Sequence, residues 1–400
     1  MELIFMARSA GVLLSITSLP SPYGIGTIGK EARKFADFLK KSGQTIWQIL
    51  PVGPTSYGDS PYQSFSTYAG NPYLIDLDTL CEEGLLTKEE VMSRDWGSDD
   101  AEVDYEKIYN NRFEVLKIAY DNFKKGDQKA FTSFKRKNSS WLKNYALYMA
   151  VKKSFDMVSW TEWPDEEIKM RDEAAVKRYE RKLKDDVDFW KFVQFKFYEQ
   201  WESFRAYVNG LGIKILGDMP IYVAMDSADT WANPELFQLY DDGDPIAVAG
   251  CPPDYFSADG QLWGNPLYNW PYHRETGYAW WIERVRHALG IYDLGNPHDT
   301  ADESTLVGRS KRRIEDCSQW KQEISPAKAA LPPWLLRQPD NLTMAFFTRM
   351  LYSSLVDADF IDTETFMDGK AAPRGMGEPL SALLEKVRAQ AKRYLDSPAA

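Results

Sequence analysis

Cysteine and histidine are scarce in this 400-residue chain, with three of each. Cys81, Cys251 and Cys317 lie far apart, which excludes a disulfide framework and a thiolate metal cluster as readings of the pattern. His273, His287 and His298 show no ligand spacing, so no metal site is expected. Long apolar runs are missing too. No stretch approaches the roughly 18 apolar residues of a membrane span. Before Gly11 there is one short apolar run, Leu3 to Met6, with an acid beside it and Arg8 after it, unlike the basic-then-apolar order of a secretory leader. A cytoplasmic location is expected. Positive charge is not in excess: 48 Lys and Arg stand against 59 Asp and Glu, a net charge of −11. Such a chain is a poor match for nucleic acid or an anionic membrane, and the local patch Lys135-Arg136-Lys137 does not reverse this.

What the chain does have is core-forming capacity and aromatic rings. It is 44% hydrophobic and 27% charged, an ordinary globular composition with length for a large core or two domains. Its 20 Phe, 22 Tyr and 14 Trp make up 14% of residues. Many sit in turn-rich stretches such as Tyr57-Gly58-Asp59-Ser60-Pro61-Tyr62-Gln63 and Trp263-Gly264-Asn265-Pro266-Leu267-Tyr268. Aromatic faces flanked by amides and carboxylates suit sugar rings, whose CH groups stack while their hydroxyls need donors and acceptors. Core filling is the other reading, and composition alone leaves both open.

Along the chain, Gly11 to Ile16 is a strand candidate, Lys30 to Ser42 an amphipathic helix with Ala32, Phe35, Ala36 and Leu39 on one face, and Ile46 to Leu50 a second strand. Long loops follow both strands, as they do around the sites of parallel α/β folds. The block 79–210 is different. Glu82 to Ser93, Tyr105 to Phe123, Ser139 to Phe155 and Val187 to Val208 have helical spacing, and Asp165 to Asp186 has the alternating charge of a solvated helical face. It reads as a helical subdomain inserted between α/β stretches. Ile213 to Met219 is a buried strand ending on Asp218, an acid placed either for function or for a turn hydrogen bond. Asp244 to Pro271 is expected to be a long loop without regular period. Tyr278 to Leu289 is helical, Ile291-Tyr292-Asp293 begins another strand, and 294–400 forms a divergent final part.

Several stretches carry a family resemblance: Gly11-Val12-Leu13-Leu14-Ser15, Ser18-Leu19-Pro20-Ser21-Pro22-Tyr23-Gly24-Ile25-Gly26, Gln48 to Thr55, Asp59-Ser60-Pro61-Tyr62-Gln63 and Gly70-Asn71-Pro72-Tyr73. Gly217 to Val223, Asp226 to Trp231 and Gly250 to Tyr268 continue it in order, so that it covers roughly residues 11–293. Over this length the chain resembles the 4-alpha-glucanotransferases, the amylomaltase or disproportionating-enzyme family. The resemblance implies a (β/α)8 TIM-type barrel with the helical subdomain inserted, its pieces being 1–78, the insertion 79–210, and 211–293 with a substrate-covering loop at 244–271. It also implies transfer of part of an α-1,4-glucan to the 4-hydroxyl of another sugar by a retaining mechanism with two carboxylates. The partners would be a maltooligosaccharide or a starch- or glycogen-derived donor and a sugar acceptor, with no cofactor, since the transfer has no redox step. Tyr62, Asp218, Asp254, Trp263 and Asn265 fall at sugar-binding positions of the pattern.

After Tyr292-Asp293 the chain departs from the family pattern. Where the family has an Arg-x-Asp-His-Phe-Arg-Gly stretch with the nucleophile, this chain reads Leu294-Gly295-Asn296-Pro297-His298-Asp299-Thr300. Asn296 takes the arginine's place and His298 the aspartate's, with Asp299 one position late. The acid/base motif is matched only by the Glu315-Asp316 pair. Asp299 and Glu315 are therefore the catalytic candidates. The barrel is expected to be altered or incomplete in this part, and a maltooligosaccharide-binding relative without turnover is the alternative reading.

Overall fold

Strand formation starts where a large apolar side chain can face a helical layer. In the computed structural model, which describes residues 9–56, 58–99, 102–253 and 259–294, these are β1 (Gly11–Leu13), β2 (Ile46–Gln48) and β3 (Lys214–Leu216). They pair in parallel in the order β1-β2-β3, and Leu294 makes a further parallel bridge to Leu216. Val12, Trp47 and Ile215 are in register, and Trp47 and Ile215 are fully buried against helices. The alternate face carries Leu13, Gln48 and Leu216, and there Leu13 is 59% exposed. The strands are shorter than the apolar runs suggest: Ile16 already begins a 3-10 turn, because the Ser18 N–H turns back to Ser15 O.

Helices occupy most of the chain between these strands. α1 (Lys30–Lys41) buries Ala32, Ala36 and Leu39, and Gly43 stops the chain at a φ of +72° that other residues rarely adopt. After β2 come α2 (Leu77–Glu82), α3 (Lys88–Met92), α4 (Tyr105–Phe123), α5 (Lys129–Lys137) and α6 (Ser139–Ser154). These are followed by α7 (Glu166–Lys169), α8 (Glu173–Lys182) and α9 (Lys184–Gly210). The spacing-based helix 82–93 is in fact two helices with Gly84 at positive φ between them, and the charged stretch 165–186 is broken at Arg171, also at positive φ. Asp76, Thr87, Asp165 and Asp172 each accept N-terminal amide hydrogens, which is what restarts helices at these points.

α9 is buried on more than one side. Phe189, Phe192 and Phe195 face α4 and α5 through Tyr120, Phe123 and Phe131, whereas Phe204 packs edge-on against Trp47 at 5.7 Å. Two glutamines tie it to the segment after β2. Gln194 Oε1 accepts from the Gly70 N–H at 2.7 Å and its Nε2 donates to Gly70 O at 2.9 Å. Gln200 brackets Asp76 in the same way, at 2.7 and 3.1 Å. Gly70 is required by the approach itself, since a Cβ there would fall 2.0 Å from the Phe197 ring.

Beyond β3 lie α10 (Ala228–Ala232), an antiparallel pair β4 (Val248–Cys251) and β5 (Gln261–Pro266), then α11 (Trp270–Glu275) and α12 (Ala279–Ile291). The expectation of an irregular loop over 244–271 is corrected by this ladder. Its side chains are mostly exposed through Gly264, so neither face is apolar and no hydrophobic alternation announces it. The expected strand at 291–293 is corrected as well: Ile291 closes α12 and pairing begins at Asp293 and Leu294, whose N–H groups both donate to Ile215 O. No helix among the described residues is long and apolar enough to cross a membrane.

The Asp226 carboxylate receives Lys152 Nζ at 2.6 Å and Tyr148 Oη at 2.5 Å from α6, which joins the helical layer to the segment after β3. Burial outweighs the Asp226 charge and lowers the Lys152 pKa. Gln194→Leu strips both side-chain partners from the backbone groups of the buried Gly70, and its expected cost is about 2–4 kcal/mol, to be read from urea denaturation against wild type.

Candidate functional site

The residues after the C-terminal ends of parallel strands converge because every strand points the same way. Asp218 follows β3 by two positions, and Tyr62 stands in the loop after β2. They meet across 156 residues of sequence: Tyr62 Oη donates to Asp218 Oδ2 at 2.8 Å. Partial burial and the adjacent Asp218 charge raise the Tyr62 phenol pKa, so the proton stays on tyrosine. Tyr62 nevertheless keeps 46% of its surface open, placing this bond at the edge of solvent. Gly217 lets the strand end approach the buried Tyr292, because a Cβ there would lie 2.1 Å from that ring.

The β4–β5 ladder forms the facing wall. Gln63 Nε2 donates to Trp263 O at 3.2 Å and to Asn265 Oδ1 at 3.0 Å, while Asn265 Nδ2 donates to Val223 O at 2.9 Å. Asn265 is therefore buried and engaged within the protein, and its role here is to fasten the ladder to the loops of Gln63 and Val223. Trp263 is 42% exposed, with its ring 6.1 Å from Tyr222. Tyr222 in turn stacks on Tyr268 at 6.2 Å and 11°. A cavity beside the Tyr62–Asp218 pair is lined by Pro51, Tyr62, Thr67, Asp218, Tyr222 and Arg284. Its rear is stiffened by Asp229, which accepts the Thr67 N–H and Oγ hydrogens at 2.8 Å each; burial raises the Asp229 pKa.

Of the sequence-derived candidates, the structure thus brings Tyr62 and Asp218 into contact and joins Trp263 and Asn265 through Gln63. Asp254, Asp299 and Glu315 lie outside the described residues. Three participants were not singled out in the sequence: Tyr222 and Gln63 lie inside stretches of the resemblance without an assigned role, and Arg284 sits in a helix with ordinary charge alternation. A larger cavity of about 530 Å³ opens beside Asp59 and Tyr73, with Tyr105, Phe113 and Trp190 on its helical side and Lys152 and Asp226 at its base. Among the described residues no three His, Cys, Asp or Glu side chains gather as metal ligands.

Comparison with known proteins gives consistent results. A family model described as 4-alpha-glucanotransferase, glycoside hydrolase 77, matches residues 14–295. The chain is 51% identical over 288 residues to the 4-alpha-glucanotransferase of Streptococcus pneumoniae, covering 72% of this chain and 57% of that protein. It is 46% identical over 293 residues to the one from Thermus thermophilus, with the same coverage on each side. Among solved structures, the amylomaltase from Streptococcus agalactiae in complex with acarbose matches with a TM-score of 0.70 and 45% identity, over 72% of this chain and 58% of that one. The chain therefore spans under three fifths of the length of these relatives.

His287, on α12, lies 2.8 Å from Tyr198 Oη and 2.9 Å from Tyr68 O behind the cavity, and burial lowers its pKa below the usual 6.5. The unfolded chain binds a proton at this residue that the folded chain resists. Stability is accordingly complete above about pH 6.5 and is lost as pH falls, by at most about 1.4 kcal/mol per pH unit. Urea midpoints at pH 7.5 and 5.5 are expected to differ in that direction, and less so in His287→Gln.

Proposed function

Because this chain belongs to the 4-alpha-glucanotransferase family, we propose that it transfers a segment of an α-1,4-glucan to the 4-hydroxyl of an acceptor glucose or glucan. The observation that carries this reading is the Tyr62–Asp218 hydrogen bond beyond the C-terminal ends of parallel strands, in a cavity that Tyr222 also lines and with the exposed Trp263 ring beside Tyr222. A pyranose has apolar CH faces and a rim of hydroxyls, and this region offers aromatic surface together with a carboxylate–phenol pair. In this reading the donor is a maltooligosaccharide or a longer glucan. Trp263 stacks on a glucosyl ring, and Asp218, oriented by Tyr62, accepts from sugar hydroxyls. Asp254, which falls between β4 and β5 in the sequence, is assigned as a further polar sugar-binding residue on the family resemblance.

The fold reading goes with it. The parallel strands with an α-helix packed behind them are part of a (β/α)8-type barrel, the block 79–210 is its helical insertion, and 244–271 covers the cleft. The same alignment of strand ends accounts for the site's location, since active sites in such barrels gather at that face.

Transfer with retention needs two carboxyl groups about 5–5.5 Å apart, one attacking the anomeric carbon and one protonating the departing oxygen. We assign these roles to Asp299 and Glu315. In the first half-reaction the Asp299 carboxylate forms the glycosyl ester as Glu315 gives its proton to the leaving 4-oxygen. In the second, Glu315 takes the proton from the acceptor hydroxyl as that oxygen displaces the ester.

The test is incubation of the purified chain with maltotriose, resolving glucose and longer maltooligosaccharides with time. Longer products are expected, with a loss of about 10²- to 10⁴-fold in Glu315→Gln and about tenfold in Tyr62→Phe. Maltotriose binding without longer products would replace this reading by a binding protein without turnover.

A further inference from the structure

We infer that Arg284 is the positioning residue that holds the segment after β3, which carries Asp218, in register with Tyr268 after β5. It lies on α12 with 2% of its surface exposed. Its Nη1 donates to Tyr268 Oη at 3.0 Å and lies 3.5 Å from Ile221 O, while Nη2 donates to Pro220 O. The guanidinium carbon sits 5.3 Å and 5.1 Å from the ring centres of Trp280 and Trp281. Among the described residues no carboxylate reaches it within ion-pair distance.

The buried Asp229 carboxylate acts on it only from beyond ion-pair distance; a buried cation so weakly paired is costly, and packing alone could be served by an apolar side chain of similar volume. What only a guanidinium supplies is a rigid fork of donors that reaches several acceptors at once. Those acceptors belong to two segments of chain, 220–221 and Tyr268. Pro220 and Ile221 directly follow Asp218 and Met219, so their carbonyls fix the turn from which Asp218 meets Tyr62. Tyr268 is the base of the stack that runs through Tyr222 to Trp263. Tyr268 Oη also donates to Ile221 O at 2.7 Å, closing the connection between the two. One side chain therefore sets the spacing between the carboxylate that would accept from sugar hydroxyls and the rings that would cover the sugar face. The consequence for sugar affinity rests on the function proposed above, and the structural part does not.

Lysine keeps the charge and most of the length but presents a point ammonium that cannot bridge the three acceptors. In Arg284→Lys, amide hydrogen exchange over 217–223 and over 261–268 is expected to rise together, with α4 unchanged, and maltotriose affinity by calorimetry to fall about tenfold. In Arg284→Ala, added methylguanidinium is expected to restore protection in both segments. Unchanged exchange in the two segments of Arg284→Lys would overturn the inference, and so would a rise spread evenly over the whole chain, which marks a general loss of stability. If Arg284→Ala does not fold, the lysine variant decides alone. If wild type itself does not bind maltotriose, the proposed function fails while the exchange comparison still decides the role of Arg284.

Discussion

The α9 helix has to satisfy two neighbours at once, and the rest of the molecule is arranged around that constraint. Helices with one apolar stripe lie on a surface, and a helix buried on several sides must place polar groups only where partners await them. α9 meets that condition with fully buried Gln194 and nearly buried Gln200, each turned to pair with both backbone groups of a single residue. Further along, Trp201 Nε1 donates to Ile291 O at 3.0 Å, and Arg205 Nε donates to Asp293 Oδ1 at 2.7 Å. Asp293 Oδ2 then accepts from the Ile215 N–H at 2.8 Å, so a side chain completes the ladder where the next strand joins. The loops after β2, the end of α12 and the edge of β3 are located by contacts to one helix.

That arrangement explains why the cleft can be lined by loops and still have defined geometry. Tyr62 and Trp263 are each open to water over nearly half their surface. Behind them, however, the chain is tied at short intervals: Asn265 to Val223 O, Asp229 to Thr67, and Tyr292 Oη to the Val52 N–H at 3.4 Å. Exposed groups on anchored backbone lose little freedom when a ligand arrives, which is the condition for affinity from few contacts.

The parts legible in the sequence are those where one local signal dominates. Tyr105–Phe123 combines helical periodicity with Asp104 as its cap, and both of its boundaries are readable. The alternating charge of 165–186 does not show where its helices divide, because Asp172 offers a second cap just after Arg171 takes a positive φ, and no periodicity registers that competition. The β4–β5 ladder stayed hidden because exposed strands need no apolar alternation. At the cleft, the identity of Tyr62, Asp218 and Trp263 followed from family resemblance, while the hydrogen bond joining the first two depends on parallel strands far apart in sequence. Arg284 was invisible for a different reason. An arginine among Glu283 and Arg286 looks like part of a solvated helical face, and only the packing of two tryptophans over it reveals that it points inward.

The wide gap between β2 and β3 has a consequence for how the molecule is made. β2 ends at Gln48 and β3 begins at Lys214. On a ribosome adding roughly 5–20 residues per second, the β2 edge waits on the order of ten seconds or more for its second neighbour. Helices form in microseconds or less, so the helices of the intervening segment can form before that neighbour exists. The sheet is then finished against an existing helical surface, and the nascent chain carries an unpaired edge, open to other chains, until β3 emerges.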